Sequence, residues 1–252
     1  MTFVAFIFAG AGFFATPDSP GDPAEIRARE IVEKAIAAKG GKENVQKFPA
    51  WRFKYKETFR TSANDVVETG EAIEHPAANQ ARYESSDGPT VIINGEQGWI
   101  KGRDGKVVFL DKAHVADFES FLKGKDGLIR VLPLLHEDWV LRHDGEKTID
   151  GKVQDVIRVR WKDRWSALTY WDRATHLLTQ AEYEHKRLIE PDPKLRKTTN
   201  RKLLFGDYQT VGKTVFHTKV TTFIADRPIG EVHLFAIEML MNVPEQLFAP
   251  PR

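Results

Sequence analysis

From residue 50 to 60 the chain alternates: Trp51, Phe53, Tyr55 and Phe59 fall on one set of positions, with Arg52, Lys54 and Lys56 between them. A period of two marks a half-buried strand, here with one aromatic face. Further strand-like runs follow at 65–74, 78–85, 90–94, 97–101 and 105–110. After an interruption they resume at 138–143, 146–150, 153–161, 164–171, 176–185, 199–208, 213–224 and 229–241. Turn formers separate many of them, including Asp87-Gly88-Pro89, Asn94-Gly95, Asp104-Gly105, Asp144-Gly145 and Asp150-Gly151. Pro191 and Pro193 make 186–198 a loop.

A helical period replaces the alternation in two places. Asp22 can cap free N–H groups and Pro23 suits a first helical position. Ala28, Ile31, Val32, Ala35 and Ile36 then recur at helical spacing, and Gly40-Gly41 ends the run. A short turn of helix is expected at 42–47. Between 111 and 135, Val115, Phe118, Phe121 and Leu122 form one helical group. Leu128, Ile129, Leu132 and Leu135 form a second, interrupted by Pro133. This reads as a pair of short helices with an unusually apolar face.

Ten or more strands joined by short turns must run antiparallel, because parallel pairs need long crossovers. A sheet that wide curls toward a barrel or half-barrel. The expected fold is therefore mainly β with some α: a curved antiparallel sheet forming an incomplete β-barrel. The N-terminal helix and the mid-chain helical pair cover its apolar side.

Composition sharpens this picture. At 252 residues and 41% apolar, the chain can bury a substantial core. Charges nearly cancel, at a formal +1, so nothing argues for nucleic acid. The absence of cysteine excludes disulfides, thiolate nucleophiles, thiolate metal sites and a lipid-modified N-terminal cysteine. Phe3 to Ala15 is an unbroken apolar or small run of about 13 residues, shorter than the roughly 20 that span a bilayer. It fits the core of a secretory signal, with Thr16-Pro17-Asp18-Ser19-Pro20 as a polar exit. No Lys or Arg precedes it, and a buried N-terminal strand is the other reading. The expected organisation is a signal at 1–15, a linker at 16–22 and one domain over 23–252, in the periplasm. Secretion, or anchoring by an uncleaved signal, would fit the same run.

Catalytic motifs are sparse. The eight histidines are scattered, without HExxH, and GxSxG and phosphate-cradling glycine patterns are missing. His217 and His233 fall on neighbouring strands of one hairpin and point to opposite faces if the turn is Ala225-Asp226-Arg227-Pro228. No catalytic residue, metal or cofactor is assigned. A carboxylate pair on the concave face remains the catalytic alternative.

The aromatic residues carry more. Ligand cavities are mostly apolar with few polar groups. Trp51, Phe53, Tyr55, Trp99, Trp161 and Trp171 are the candidate cavity lining. Phe118, Phe121, Leu122, Leu128, Ile129 and Leu132 are the candidate lid. A filled core is the other account of the same residues. The basic stretch at 186–202 is a solvated loop or, through Lys194, Arg196 and Lys197, a peripheral contact with anionic lipid head groups.

Several segments, taken in order, resemble the LolA-like periplasmic lipoprotein carriers and outer-membrane lipoprotein-sorting proteins. They are the helix end Ala37-Ala38-Lys39-Gly40-Gly41, the hairpin Asn94-Gly95 with Gly98-Trp99, and the helical region 111–135. Val159 and Trp161 then lead into Tyr170-Trp171-Asp172-Arg173-Ala174-Thr175-His176-Leu177-Leu178. Phe205-Gly206-Asp207-Tyr208 with Val211-Gly212, and Asn242-Val243-Pro244 through Leu247-Phe248-Ala249-Pro250, complete the likeness. Phe216 departs from it, standing where many relatives have proline. The resemblance covers most of 25–250 and implies a LolA/LolB-like half-barrel with an apolar cavity for acyl chains. The expected function is a non-catalytic, monomeric envelope carrier or sensor of a lipid or acylated lipoprotein. The alternative is an interaction or envelope-stress domain with a filled core and a protein partner.

Overall fold

The computed structural model describes residues 21–60, 64–186 and 198–250. The apolar run Phe3–Ala15 and the basic residues Lys194, Arg196 and Lys197 lie outside them. Helix α1 spans Pro23–Ala38. Its cap is the one the sequence suggests, with the Asp22 carboxylate accepting from the Ala24 N–H at 2.9 Å. Gly40 and Gly41 take φ of +109° and +87° and turn the chain into the short α2, Lys42–Lys47.

Six strands follow: β1 (Ala50–Arg60), β2 (Asp65–His75), β3 (Gln80–Ser85), β4 (Thr90–Asn94), β5 (Gln97–Lys101) and β6 (Val107–Phe109). Helix α3 (Lys112–Arg130) separates them from β7 (Trp139–Ile149), β8 (Lys152–Trp161), β9 (Trp165–Asp172) and β10 (Leu178–Lys186). Strands β11 (Thr198–Val211), β12 (Thr214–Ile224) and β13 (Arg227–Leu240) complete the set. All thirteen form one sheet in the order β6-β5-β4-β3-β2-β1-β13-β12-β11-β10-β9-β8-β7. Every pairing is antiparallel.

The path explains the architecture. From the middle, β1 to β6 meander out to one edge. Helix α3 then carries the chain across to β7, at the opposite edge. Strands β7 to β13 meander back, and β13 closes the centre against β1, from Ala50↔Leu240 to Phe59↔Gly230. The two edges do not pair, so the sheet is curved but not closed into a barrel.

Two local expectations change. The first helical group and Leu128 and Ile129 of the second belong to one continuous 19-residue helix, the break falls at Val131, with φ +67°, and Leu132 and Leu135 lie beyond it. Pro133 lies in the following 3₁₀ turn, Leu132–Leu135. The polar stretch Lys123–Gly127 hid this continuity, and its glycines are helical because packing demands it. A Cβ on Gly124 would overlap the Trp165 ring, and one on Gly127 would crowd Leu134 and Trp139. Asp144-Gly145 makes no hairpin turn either. β7 runs through it with a bulge, because β8 pairs along its whole length from Trp139↔Trp161 to Ile149↔Lys152. Asp150-Gly151 makes the tight turn, with both φ values positive.

Four apolar clusters hold the layers together. α1 presents Ala28, Ile31, Val32, Ala35 and Ile36 to strands β7–β10, where Trp139, Leu141, Ile157, Val159, Trp161 and Trp171 are buried. The first half of α3 packs Val115, Phe118 and Leu122 on Ala81, Val91 and Ile93 of β3 and β4. Near the far end of α3, Ile129 meets Trp51, Phe53, Ala72 and Phe216. On the other face of the sheet, Ile73, Ile92 and Trp99 are covered by Phe248 of the C-terminal 3₁₀ turn Glu245–Phe248.

Candidate functional site

Helix α3 acts as a beam. It rests on β3–β5 at one end and on β7–β9 at the other. The central strands β1, β13, β12 and β11 pass beneath its middle, and there a cavity of about 590 Å³ remains. Its floor includes Phe53, Tyr55 and Phe59 of β1, Val232 and Leu234 of β13, and Leu203 and Phe205 of β11. Its roof is Phe118, Phe121, Lys125, Leu128 and Ile129. Exposure along β1 rises from 3% at Trp51 to 40% at Phe59, so the cavity opens toward the Phe59 end.

The expected lining divides. Phe53 and Tyr55 face the cavity, as do Phe118, Phe121, Leu128 and Ile129 of the expected lid. Trp51 lies beyond its closed end, under the Arg130 guanidinium at 5.4 Å. Trp161 and Trp171 are packed beneath α1, and the Trp171 indole N–H donates to Thr169 at 2.8 Å. Trp99 is on the opposite face of the sheet: it pairs with Ile92, while the neighbouring Gly98 points at Val115 of α3. Leu122 is buried against β3 and β4, and Leu132 packs with the α1 cluster.

Several lining residues were not anticipated. Trp165 stands edge-on to Trp139 with ring centres 5.8 Å apart, and also meets Tyr183 at 6.0 Å. Tyr55 lies across Gly70, where a Cβ would overlap its ring. The polar lining is the larger omission: Glu57, Glu68, Lys125, Arg201 and His217. Glu57 falls on the aromatic face of β1, in step with Tyr55 and Phe59. Lys125 falls one turn beyond Phe121 on α3. A charge on an otherwise apolar face was the legible signal in both cases.

Each polar group has its own electrostatics. The Lys125 ammonium bonds Glu74, which is fully buried and also accepts from the Tyr83 hydroxyl at 2.7 Å. Phe53, Tyr83 and Phe121 surround that ammonium, with ring centres at 5.0, 5.7 and 6.0 Å. Burial and the charge on Glu74 push the Tyr83 hydroxyl well above its ordinary pKa. Behind the closed end, Asp126 and Arg130 form a buried ion pair. His217 is buried against Phe205 and Tyr208, and burial, Lys39 and Lys125 lower its pKa to about 3, so it stays neutral. Lys39, also buried, donates to the Val215 carbonyl at 2.5 Å, and burial lowers it to about 7. Burial first, then Glu68, raises Glu57 to about 7, while Arg201 and Lys125 oppose the shift.

His217 faces the cavity, while His233 lies beside Glu231 at 2.6 Å on the residue parity opposite to Val232 and Leu234. Among the described residues no group of three or more His, Asp or Glu could hold a metal ion. No described helix is long and apolar enough to cross a membrane.

No family model matches the sequence, and no curated protein matches it. The fold has solved counterparts. A LolA superfamily protein from Nitrosomonas europaea aligns over 88% of this chain and 97% of its own, at 10% identity and a TM-score of 0.57. A DUF1329 family protein from Desulfovibrio piger gives the same four values. An outer membrane lipoprotein-sorting protein domain from Vibrio parahaemolyticus aligns over 89% of this chain and 97% of its own, again at 10% identity and 0.57. At that identity the likeness establishes a shared LolA-like fold.

Proposed function

We propose that this protein is a non-catalytic bacterial envelope carrier or sensor that holds the acyl chain of a lipid or acylated lipoprotein beneath α3. The observation that supports the reading is the cavity of about 590 Å³ between the sheet and α3. That lies within the roughly 300–1,000 Å³ of small-molecule pockets. Burying ten methylenes there would supply about 8 kcal/mol, part of which is lost to association and chain ordering. Domain 23–252 would be the binding unit and the run Phe3–Ala15 the export signal. The lipoprotein-sorting description of the Vibrio domain agrees with a ligand of this kind.

Native mass spectrometry of protein isolated from the envelope fraction tests the reading. Co-purified lipid, or uptake of a fluorescent fatty acid with micromolar affinity, is expected. Protein that is always ligand-free and takes up no acyl probe would overturn it.

The Glu57–Glu68 pair favours one other reading, a carboxylate-based hydrolase, because two carboxyl groups paired across neighbouring strands, with the pKa of Glu57 raised, can serve as acid and base. The largely apolar wall around the pair supports binding over turnover. Measurable cleavage of aryl glycosides or esters, lost in Glu57→Gln, would decide for the hydrolase.

A further inference from the structure

The cavity wall carries charge that holding a hydrocarbon chain does not require. Glu57 of β1 and Glu68 of β2 are direct cross-strand partners, and both line the cavity. Opposed residues of this kind point to one face with Cβ atoms about 5 Å apart, and like charges there repel. Glu68 accepts a long hydrogen bond from Tyr55 at 3.4 Å. Glu57 has no hydrogen bond or ion pair among the described residues, although the charges of Arg201 and Lys125 reach it across the cavity. Lys125, the cation of the roof, is already engaged by Glu74.

A second group in the same cavity also lacks a hydrogen bond among the described residues. His217 is 3% exposed, lines the cavity deeper along the sheet, and has ring contacts but no hydrogen bond among the described residues. The wall thus offers acceptors near the opening and a polar contact within. A plain hydrocarbon would satisfy neither.

We propose that the occupant is an amphiphile with a protonated amine head, its ammonium held between Glu57 and Glu68 and its chain running under α3. This rests on the carrier reading and narrows its ligand class. An ammonium has three donors, enough to bond both carboxylates, and its charge removes their repulsion. The rings of Tyr55 and Phe59, in step with Glu57 on β1, flank the position and suit a cation. His217 is the contact for an amide or hydroxyl oxygen further along the chain. A free long-chain amine and an ethanolamine head group both present such an ammonium. In the second case Arg201, which lines the same cavity, can meet the phosphate.

Isothermal titration calorimetry with four single-chain probes of twelve carbons, each below its micelle concentration, tests this. The probes are dodecylammonium, dodecanoyl lysophosphatidylethanolamine, dodecanoate and a neutral dodecyl oligoethylene glycol ether. The ammonium probes should bind at least tenfold more tightly than dodecanoate. The Glu57→Gln/Glu68→Gln double variant should bring that ratio near one and leave the neutral ether unchanged. Preference for the lysolipid points to the head group, and preference for the free amine points to an amine; either supports the proposal. Equal affinity of wild-type protein for ammonium and carboxylate overturns it while the carrier reading stands. Failure of all four probes overturns both. Should the double variant not fold by circular dichroism, the wild-type ratio alone decides.

Discussion

The two helix-covered regions of this sheet obey the same packing rules and end differently. Under α1 the space is filled. The helix offers small residues, Ala28 and Ala35, and can sit close against Trp139, Trp161 and Trp171. Under the middle of α3 the space is open. Phe118, Phe121 and Lys125 hold the helix off the central strands, while its two ends rest on strands far apart in the sheet. One helix lies on a sheet and the other bridges it. The comparison teaches that a hollow can be built from ordinary core residues if the covering helix is supported by strands far apart in the sheet.

The largest test of this contrast is truncation on each side. Trp171→Ala, in the filled region, is expected to cost about 4 kcal/mol, because a cavity opens in close-packed surroundings. Leu234→Ala, which only widens an existing hollow, is expected to cost about 2 kcal/mol less than that. Urea unfolding of the two variants measures the difference, and equal losses would mean that the two regions pack alike. Next comes the support of the beam. Gly124→Leu must push against the Trp165 ring and is expected to cost about 2–3 kcal/mol. Its effect on acyl-probe uptake then reports whether tilting α3 opens or shuts the cavity.

A smaller effect is expected from filling the hollow. Val232→Phe adds bulk where there is room, so stability should change by less than about 1 kcal/mol. Probe affinity should fall about tenfold, equivalent to roughly 1.4 kcal/mol. The same substitution in a packed region would reverse those sizes. The smallest effect is electrostatic. Folded Glu57 keeps its proton to about pH 7, whereas an ordinary glutamate releases it near 4.5. The unfolded chain therefore binds fewer protons across that window, and stability falls as pH rises from 4.5 to 7. Glu57→Gln should stabilise the protein by about 1 kcal/mol at pH 8, after discounting for solvent screening. The gain should vanish near pH 4. Thermal melts at the two pH values check it, and a gain of the same size at both would refute the assigned cause.

Much of this fold was legible along the chain. α1 can be read from Asp22 to Gly40 because cap, apolar spacing and stop are all local. The meander can be read because turn formers separate many of the strands. The site was half legible. Phe53 and Tyr55, and four of the six residues expected to form a lid, reach the cavity because side-chain direction follows from local period. The tryptophans scattered for a reason that local pattern does not contain. Trp99 shares the alternating pattern of its neighbours but faces away from α3, and register settles which face is inside. Trp161 and Trp171 face inward, but α1 covers them first. Asp144-Gly145 and Asp150-Gly151 are identical dipeptides, and the pairing of β8 along all of β7 makes one a bulge and the other a turn.

What the sequence by itself determined is the set of elements and their apolar faces, since period, caps and turn chemistry act over a few residues. What only the tertiary structure decided is which parts of those faces touch one another. The opposition of Glu57 and Glu68, the continuity of α3 through its glycines, and the gap beneath its middle all depend on segments brought together by register and by one long crossing. Contacts of that kind are fixed when distant strands pair, and no short stretch of chain encodes them.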